Sequence, residues 1–395
     1  MVEKQTPISN TGRIISLDVM RGVAILGIYL VNMLSFHSPY MIIDPLDYWN
    51  QGIDRVVYIL IDFFAQASFY PLFSMLFGYG LMLMMVRAAG KKGSFFALAF
   101  RRLSFLLIVG IVHAFLIWPG DILITYASIG ILALIFLRLS GKALMATGLM
   151  MYIIPNFLLG LLLLAADMSR LDASSAMFND EQAKTALQVY SSGTFSEITK
   201  MRVWEWSESN NWETAPILLF SLLPLFLIGA GVAKLNWLAD IRKHRRKLKV
   251  FSGSALAAGF LIKGLPYYGW EGYSAEFFQD FFGGPLLAIA YGGLIALSVR
   301  RREELAGFFA NVGRMSMTNY LLQSLISTLI FYGYGAGLYG KVSVLTGTVL
   351  VVAVFIAQAV GSRIWLSRFN YGPLEWVWRS FTYLKLQQMV KGEVA

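Results

Sequence analysis

Apolar runs of about 20 residues, the length that crosses a bilayer core, recur along the whole chain, separated by short and mostly basic segments. They fall at roughly 16–36, 57–86, 103–118, 121–137, 142–166, 215–233, 250–268, 277–299, 315–333 and 343–362, and they predict ten transmembrane helices. One interval breaks the rhythm: 167–213 is long, acidic and holds Trp204, Trp206 and Trp212. Its pattern predicts short amphipathic helices over the outer face, a loop or lid. The expected architecture is an all-α, polytopic integral membrane protein. Residues 1–166 form an N-terminal five-helix half, 167–213 the outer element, and 214–395 a C-terminal five-helix half with a cytoplasmic tail.

Charge distribution orients this picture. With both termini inside, the six segments 1–15, 87–102, 138–142, 234–249, 300–314 and 363–395 hold 25 Lys and Arg, against 6 in the outer segments. That is the positive-inside bias. The formal charge of +10 therefore reads as topology and not as a nucleic-acid signature, and the run 242–249 reads as a juxtamembrane patch facing lipid headgroups. A composition of 57% hydrophobic and 14% charged residues leaves too little polar surface for a soluble domain of this size. With no cysteine in the chain, disulfides, thiolate nucleophiles and cysteine-ligated metals are excluded. The first apolar run is long and carries Asp18 and Arg21, so it reads as a permanent helix and not a cleaved leader.

Polar side chains inside such runs are costly and tend to mark sites. His113 lies in SFLLIVGIVHAFLIWPGDILITYASIGIL, with Asp121 eight residues on, across a break at Trp118, Pro119 and Gly120. The turn lets Asp121 fold back to orient His113 as a general base; the alternative is a histidine bonded within the bundle and Asp121 as a helix N-cap. Three polar stripes accompany this pair: Asp18, Arg21 and Asn32 on the first helix, Asp62, Gln66, Tyr70 and Ser74 on the second, and Ser316, Asn319, Gln323 and Ser327 on the ninth. Their shared-face spacing points to a common cavity, with interhelical bonding as the plainer reading. Pro71 predicts a kink in the second helix. By depth, Asn32, His37, Asp62, His113, Asp121, Lys263 and Asp280 fall in the outer half, and Asp18, Arg21 and Arg314 near the inner surface. Lys263 is expected to pair with Asp62 or Asp280. His37, in SFHSP, reads as a more exposed loop residue, His244 has no assigned role, and three scattered histidines make no metal site.

The blocks LDVMRGVAILGIYLVN, RRLSFLLIVGIVHAFLIWPGDILITYA, GRMSMTNYLLQSLI and FNYGPLEWVWRSFTY resemble the bacterial YeiB-type membrane proteins, the DUF418 family, over almost the whole chain. That family is distantly similar to transmembrane acyltransferases, which include heparan-alpha-glucosaminide N-acetyltransferase and the acyltransferase-3 O-acetylases. The wider likeness rests on Asp18, Arg21, Gly22 and Ala24, and more weakly on Gly313, Arg314, Ser316, Tyr320 and Leu321. Acyltransferase-3 proteins carry a functional histidine where this chain has Asn32, and His37 matches the glucosaminide acetyltransferase histidine only loosely. In the YeiB-type pattern the marked histidine is His113, with Asp121.

The resemblance implies a multi-pass protein of the bacterial inner (plasma) membrane, with the lipid bilayer as its partner, no nucleic acid, and a homo-oligomer as an open possibility. It implies no tightly bound cofactor, with acyl-CoA as co-substrate. The donor's phosphates would sit near Arg21 and Arg314, with Glu375 and Arg379 of the last block as further binding candidates. His113, held by Asp121, would deprotonate a hydroxyl or amine on a small-molecule or glycan acceptor, with Asn32 or Gln323 donating to the oxyanion. His37 stays as the alternative base. The competing reading is a secondary transporter, with Asp62, Lys263 and His113 coupling protons. A third is a scaffold or sensor whose buried charges are merely paired.

Overall fold

In the computed structural model the described residues are 13–88, 94–169, 178–270, 272–299 and 303–391. Each predicted apolar run is largely helical. The main helices are α1 (Ile15–His37), α2 (Gly52–Phe64), α3 (Phe69–Ala88), α4 (Phe95–Leu116), α5 (Leu123–Phe136), α6 (Gly141–Met168), α7 (Asp180–Ser192) and α8 (Phe195–Ser209). Then come α9 (Ala215–Lys234), α10 (Ile241–Lys263), α11 (Tyr273–Ser298), α12 (Glu303–Arg314), α13 (Ser316–Phe331), α14 (Val344–Arg368) and α15 (Pro373–Tyr383). Among the described residues the only β pairing is an isolated bridge between Phe369 and Val390.

Seven stretches among the described residues are long and apolar enough to cross a membrane: α1, α2 with α3, α4, α6, α9, α11 and α14. Three other apolar runs are shorter or more polar. α5 has 14 residues, α13 has 16, and α10 begins inside the basic run, whose charges occupy its first turns. The outward faces carry Ile135, Leu162, Ile364 and Leu261, each more than half exposed. In water such a surface would aggregate; against lipid tails it is the ordinary exterior.

Two inner contacts set the core. α9 is buried without interruption from Ser221 to Gly231, as expected for a helix that is apolar all round. It meets α3 at backbone distance: a Cβ on Gly229 would lie 1.9 Å from Met75 O, and one on Gly78 2.0 Å from Phe226 O. α1 meets α12 in the same way, with a Cβ on Gly313 falling 1.9 Å from Asp18 O. These glycines let helices approach as small residues do in membranes.

The second predicted helix differs from expectation. It breaks at Ala65–Ser68, before Pro71, with Ala67 at a left-handed φ of 53°. Pro71 itself sits in the first turn of α3, where its missing N–H costs nothing. α11 contains a π-helical turn at Gln279–Gly283, which aims Asp280 toward α10. Within the 167–213 interval, of which 170–177 lie outside the described residues, α7 and α8 are short helices. α8 opens with a capping box between Thr194 and Glu197 and packs on α4.

Candidate functional site

α4 ends at Leu116, and residues 117–122 turn the chain into α5. The turn brings Asp121 Oδ1 to 2.8 Å from His113 Nδ1, while Asp121 Oδ2 accepts from the Ile124 N–H at 2.9 Å. One carboxylate therefore orients the histidine and caps α5, so both sequence readings describe the same residue. A carboxylate only accepts, so in the neutral imidazole the proton sits on Nδ1 and Nε2 carries the lone pair. His113 is fully buried and its Nε2 has no hydrogen-bond partner.

A cavity of about 770 Å³ runs from the end of the bundle that carries Arg13 and Gln388 toward this pair, within the range of small-molecule sites. Its mouth gathers Arg13, Arg21, Arg87, Arg102, Arg314 and Arg379 against two acids, Asp18 and Glu375. The throat is lined by Ile25, Phe73, Leu76, Phe77, Met84 and Leu106, and the far end by Ile122, Leu123, Tyr126 and Tyr320. The Tyr320 ring lies 5.2 Å from the His113 ring, so one aromatic side chain separates the cavity from the histidine.

Packing holds the basic rim in shape. Asp18 accepts from Arg13 and, at 3.1 Å, from Arg21 Nη1. The Arg102 guanidinium stacks 3.7 Å over Trp378, whose indole N–H donates to Arg102 O at 2.8 Å. Arg379 lies 4.7 Å over Tyr371. Glu375 is buried, and its oxygens accept from the N–H groups of Met317 and Thr318 and from the Thr318 hydroxyl. It is the cap of α13, with its oxygens committed, and not a free ligand group. Burial raises its pKa, and those hydrogen bonds only partly pull it back.

The other candidates divide. Arg21, Asp18, Arg314, Ser316, Glu375 and Arg379 share the cavity, but Asn32, on the same face of α1, lies farther along and outside its lining. Asn319 and Gln323 belong to an amide ladder: Gln323 Nε2 donates to Gln358 Oε1 at 2.8 Å, Gln358 Nε2 to Asn319 O, and Asn319 Nδ2 to Ser362 Oγ. Ser327 bonds Tyr29 at 3.0 Å. Asn319, Gln323 and Ser327 thus join α13 to α14 and α1, the plainer interhelical reading, which corrects their expected place in the cavity, while Ser316 does line it. Ser74 and Tyr70 engage the Tyr126 hydroxyl from α3.

His37 is another correction. It closes α1 as its last residue and is 1% exposed, enclosed by the rings of Trp49 and Phe331. Its neighbour Phe36 packs 4.4 Å from Trp118, so aromatic rings stand between it and the His113 turn. Lys263, fully buried, pairs with Asp280 at 2.8 Å. Asp62 instead accepts from the Tyr267 hydroxyl at 2.6 Å and from Gln279 Nε2, a network separate from the cavity. Gln66 lies in the break after α2, and its Oε1 is an unpartnered acceptor.

The opposite end of the bundle is covered. Arg202 of α8 is fully buried, donating to Leu116 O at 3.0 Å and to the Tyr334 hydroxyl at 2.6 Å. Tyr190 of α7 donates to Glu205 at 2.6 Å, and burial raises the Glu205 carboxyl to about 7. Sequence reasoning missed Arg202, and it missed Arg87 and Arg102, which it counted only as topology charges. It quoted Tyr320 within a motif without giving it a role. No local signal shows that these residues meet the site.

The fold and site define a polytopic helical membrane protein with one basic-mouthed cavity leading to a buried histidine–carboxylate pair. The chain belongs to the DUF418 family, described as a protein of unknown function, whose profile matches residues 232–385. It is 37% identical to the uncharacterized protein YxaH of Bacillus subtilis (strain 168), over 98% of each chain. It is 31% identical to the uncharacterized protein YeiB of Escherichia coli (strain K12), over 94% of this chain and 96% of that one. An uncharacterized 39.9 kDa protein in the amylase 3' region of Bacillus acidopullulyticus is 27% identical over 95% of this chain. No solved structure matches.

Proposed function

We propose that this protein is a transmembrane acyltransferase that moves an acyl group, acetyl in the simplest case, from cytoplasmic acyl-CoA to a hydroxyl or amine presented at the outer side of the bacterial inner membrane. The reading includes ten membrane-crossing segments with both termini cytoplasmic, which places the arginine mouth in the cytosol. One observation carries it: a single cavity joins six arginines, through an apolar throat, to a floor beside His113. That sequence of environments matches a polyphosphate head, a slender arm and a reacting thioester in turn. Arginine forks suit phosphate oxygens.

In this reading His113 Nε2 takes the proton from the acceptor as its oxygen or nitrogen bonds to the thioester carbon, and Asp121 holds the imidazole in the needed tautomer. Collapse breaks the C–S bond, and the proton passes to the leaving thiolate. Calorimetry with acetyl-CoA on detergent-purified protein, and CoA release by reconstituted protein, test it. Binding in wild type with loss of release in His113→Ala supports it; no binding by wild type removes it.

The Lys263–Asp280 pair beside Asp62 favours a second reading, a proton-coupled transporter, because charges buried in a membrane often line ion routes. Retention of acetyl-CoA binding by Asp62→Asn together with wild-type CoA release would speak against that role for Asp62.

A further inference from the structure

The cavity floor contains two tyrosines in different states. Tyr126 has spent its hydroxyl: it lies 2.7 Å from Ser74 Oγ and 3.2 Å from Tyr70 O. Tyr320 has not. Its side chain is 6% exposed, its oxygen lies against the Ile122 backbone, and its proton has no acceptor. A hydroxyl proton buried without an acceptor is unfavourable and calls for an explanation. The rings of Tyr320 and His113 lie 5.2 Å apart, and His113 Nε2 is likewise an unpartnered buried atom.

Alternatives for a donor at this point are excluded by their own bonds. Gln323 and Asn319, on the same helix, are tied into the ladder with Gln358 and Ser362. Asn32 lies outside the cavity lining. Ser316 lines the cavity one helical turn nearer the mouth than Tyr320. What remains is a hydroxyl without an acceptor on Tyr320, which lines the cavity, and behind it the unpartnered Nε2 of His113 on the neighbouring ring.

We infer that Tyr320 is a catalytic residue, its hydroxyl donating to the carbonyl oxygen of the bound thioester as that oxygen gains negative charge. This rests on the acyltransferase reading and adds the oxyanion donor to it. The acceptor's proton goes to His113 Nε2 while the new C–O or C–N bond forms, and the carbonyl π pair moves onto the oxygen facing Tyr320. The pair returns as the C–S bond breaks, and the thiolate leaves with the proton from His113. Tyr320 keeps its own proton throughout. The products are acylated acceptor and free CoA, and no oxidant or further reactant enters.

The same position makes the ring of Tyr320 the partition between cavity and histidine. A thioester carbonyl that reaches the hydroxyl has therefore arrived beside the base. Aligned donors of this kind act because they are fixed before the charge appears.

The test is Tyr320→Phe in liposome-reconstituted protein, given acetyl-CoA with a crude envelope extract as the acceptor source. Released CoA is read with a thiol reagent against a blank of extract and acetyl-CoA without the protein, which itself adds no thiol because the chain has no cysteine. Loss of one oxyanion donor predicts a fall of about 10²–10³-fold in turnover, with acetyl-CoA affinity and thermal unfolding little changed because the hydroxyl proton has no acceptor in the resting protein. Calorimetric binding of acetyl-CoA by the variant verifies its fold. Wild-type turnover in Tyr320→Phe with an inactive His113→Ala overturns the Tyr320 assignment and leaves acyl transfer standing. A loss of affinity matching the loss of rate also overturns it, since the hydroxyl would then serve binding. Failure of wild type to bind acetyl-CoA removes both.

Discussion

Arg202 Nη1 donates to Leu116 O, 3.0 Å away, at the last turn of the helix that carries His113. A residue of the covering helix α8 thus bonds directly to the backbone three residues beyond the candidate base. Burial of a guanidinium is tolerable only while its hydrogen bonds are kept. Arg202→Ala strands Leu116 O and the Tyr334 hydroxyl and is expected to cost about 2–4 kcal/mol. Thermal unfolding in detergent measures it. In the same variant, a cysteine introduced at the fully buried Ile198 of α8 should react faster with a water-soluble maleimide; equal labelling with and without Arg202 would show that it is not a closure.

The cover should also respond to pH through Glu205. Its carboxyl, raised by burial to about 7, binds a proton more tightly in the folded cover than in the unfolded chain, where the ordinary value is about 4.3. The favourable contribution is complete below about pH 4, declines as pH rises, and is lost above about 7. Protection factors over residues 180–209, which divide out the intrinsic rise of amide exchange with pH, should therefore fall between pH 4.5 and 7. Glu205→Gln should flatten that dependence, and an unaltered profile would show that another group sets it.

Asp121→Asn separates the two roles of that carboxylate. Asparagine still caps a helix, so α5 should form and unfolding should change by less than about 1 kcal/mol. The amide nitrogen facing His113 would favour the wrong tautomer, and CoA release should drop by about 10²–10⁴-fold. A parallel loss of fold would show that the carboxylate was needed for structure alone.

The Lys263–Asp280 pair predicts an asymmetry. Lys263 is fully buried, whereas the Asp280 side chain is 30% exposed. Asp280→Asn leaves a buried ammonium unpaired and should cost about 3–5 kcal/mol. Lys263→Met leaves a carboxylate that still reaches solvent and should cost less. The double variant Lys263→Met with Asp280→Asn should recover much of the loss. Equal effects of the two single changes would mean that Asp62 shares the charge of Lys263.

The helices were legible in the sequence because burial against lipid imposes length and hydrophobicity on each segment separately. The His113–Asp121 contact was legible for a related reason: only a tight turn separates the two residues. Polar periodicity proved ambiguous. Spacing puts Asn319 and Gln323 on one face, but a face can look onto a cavity or onto a neighbouring helix, and here Gln358 and Ser362 take both amides. His37 was misread because a polar residue after an apolar run resembles a loop, whereas α1 continues through it and aromatic rings enclose it. Arg87, Arg102 and Arg379 sit on three different helices, and nothing local to any of them indicates that they share a mouth.

That mouth gives the proposed donor competitors. On the proposed cytosolic side, free nucleotides and inorganic phosphates would meet the same six arginines facing two acids, because such charge gathers polyanions with little regard for what they carry. Discrimination then falls to the apolar throat, which a nucleotide without a lipophilic arm cannot fill. Added salt should weaken all occupants together, while lengthening or shortening the arm should sort them.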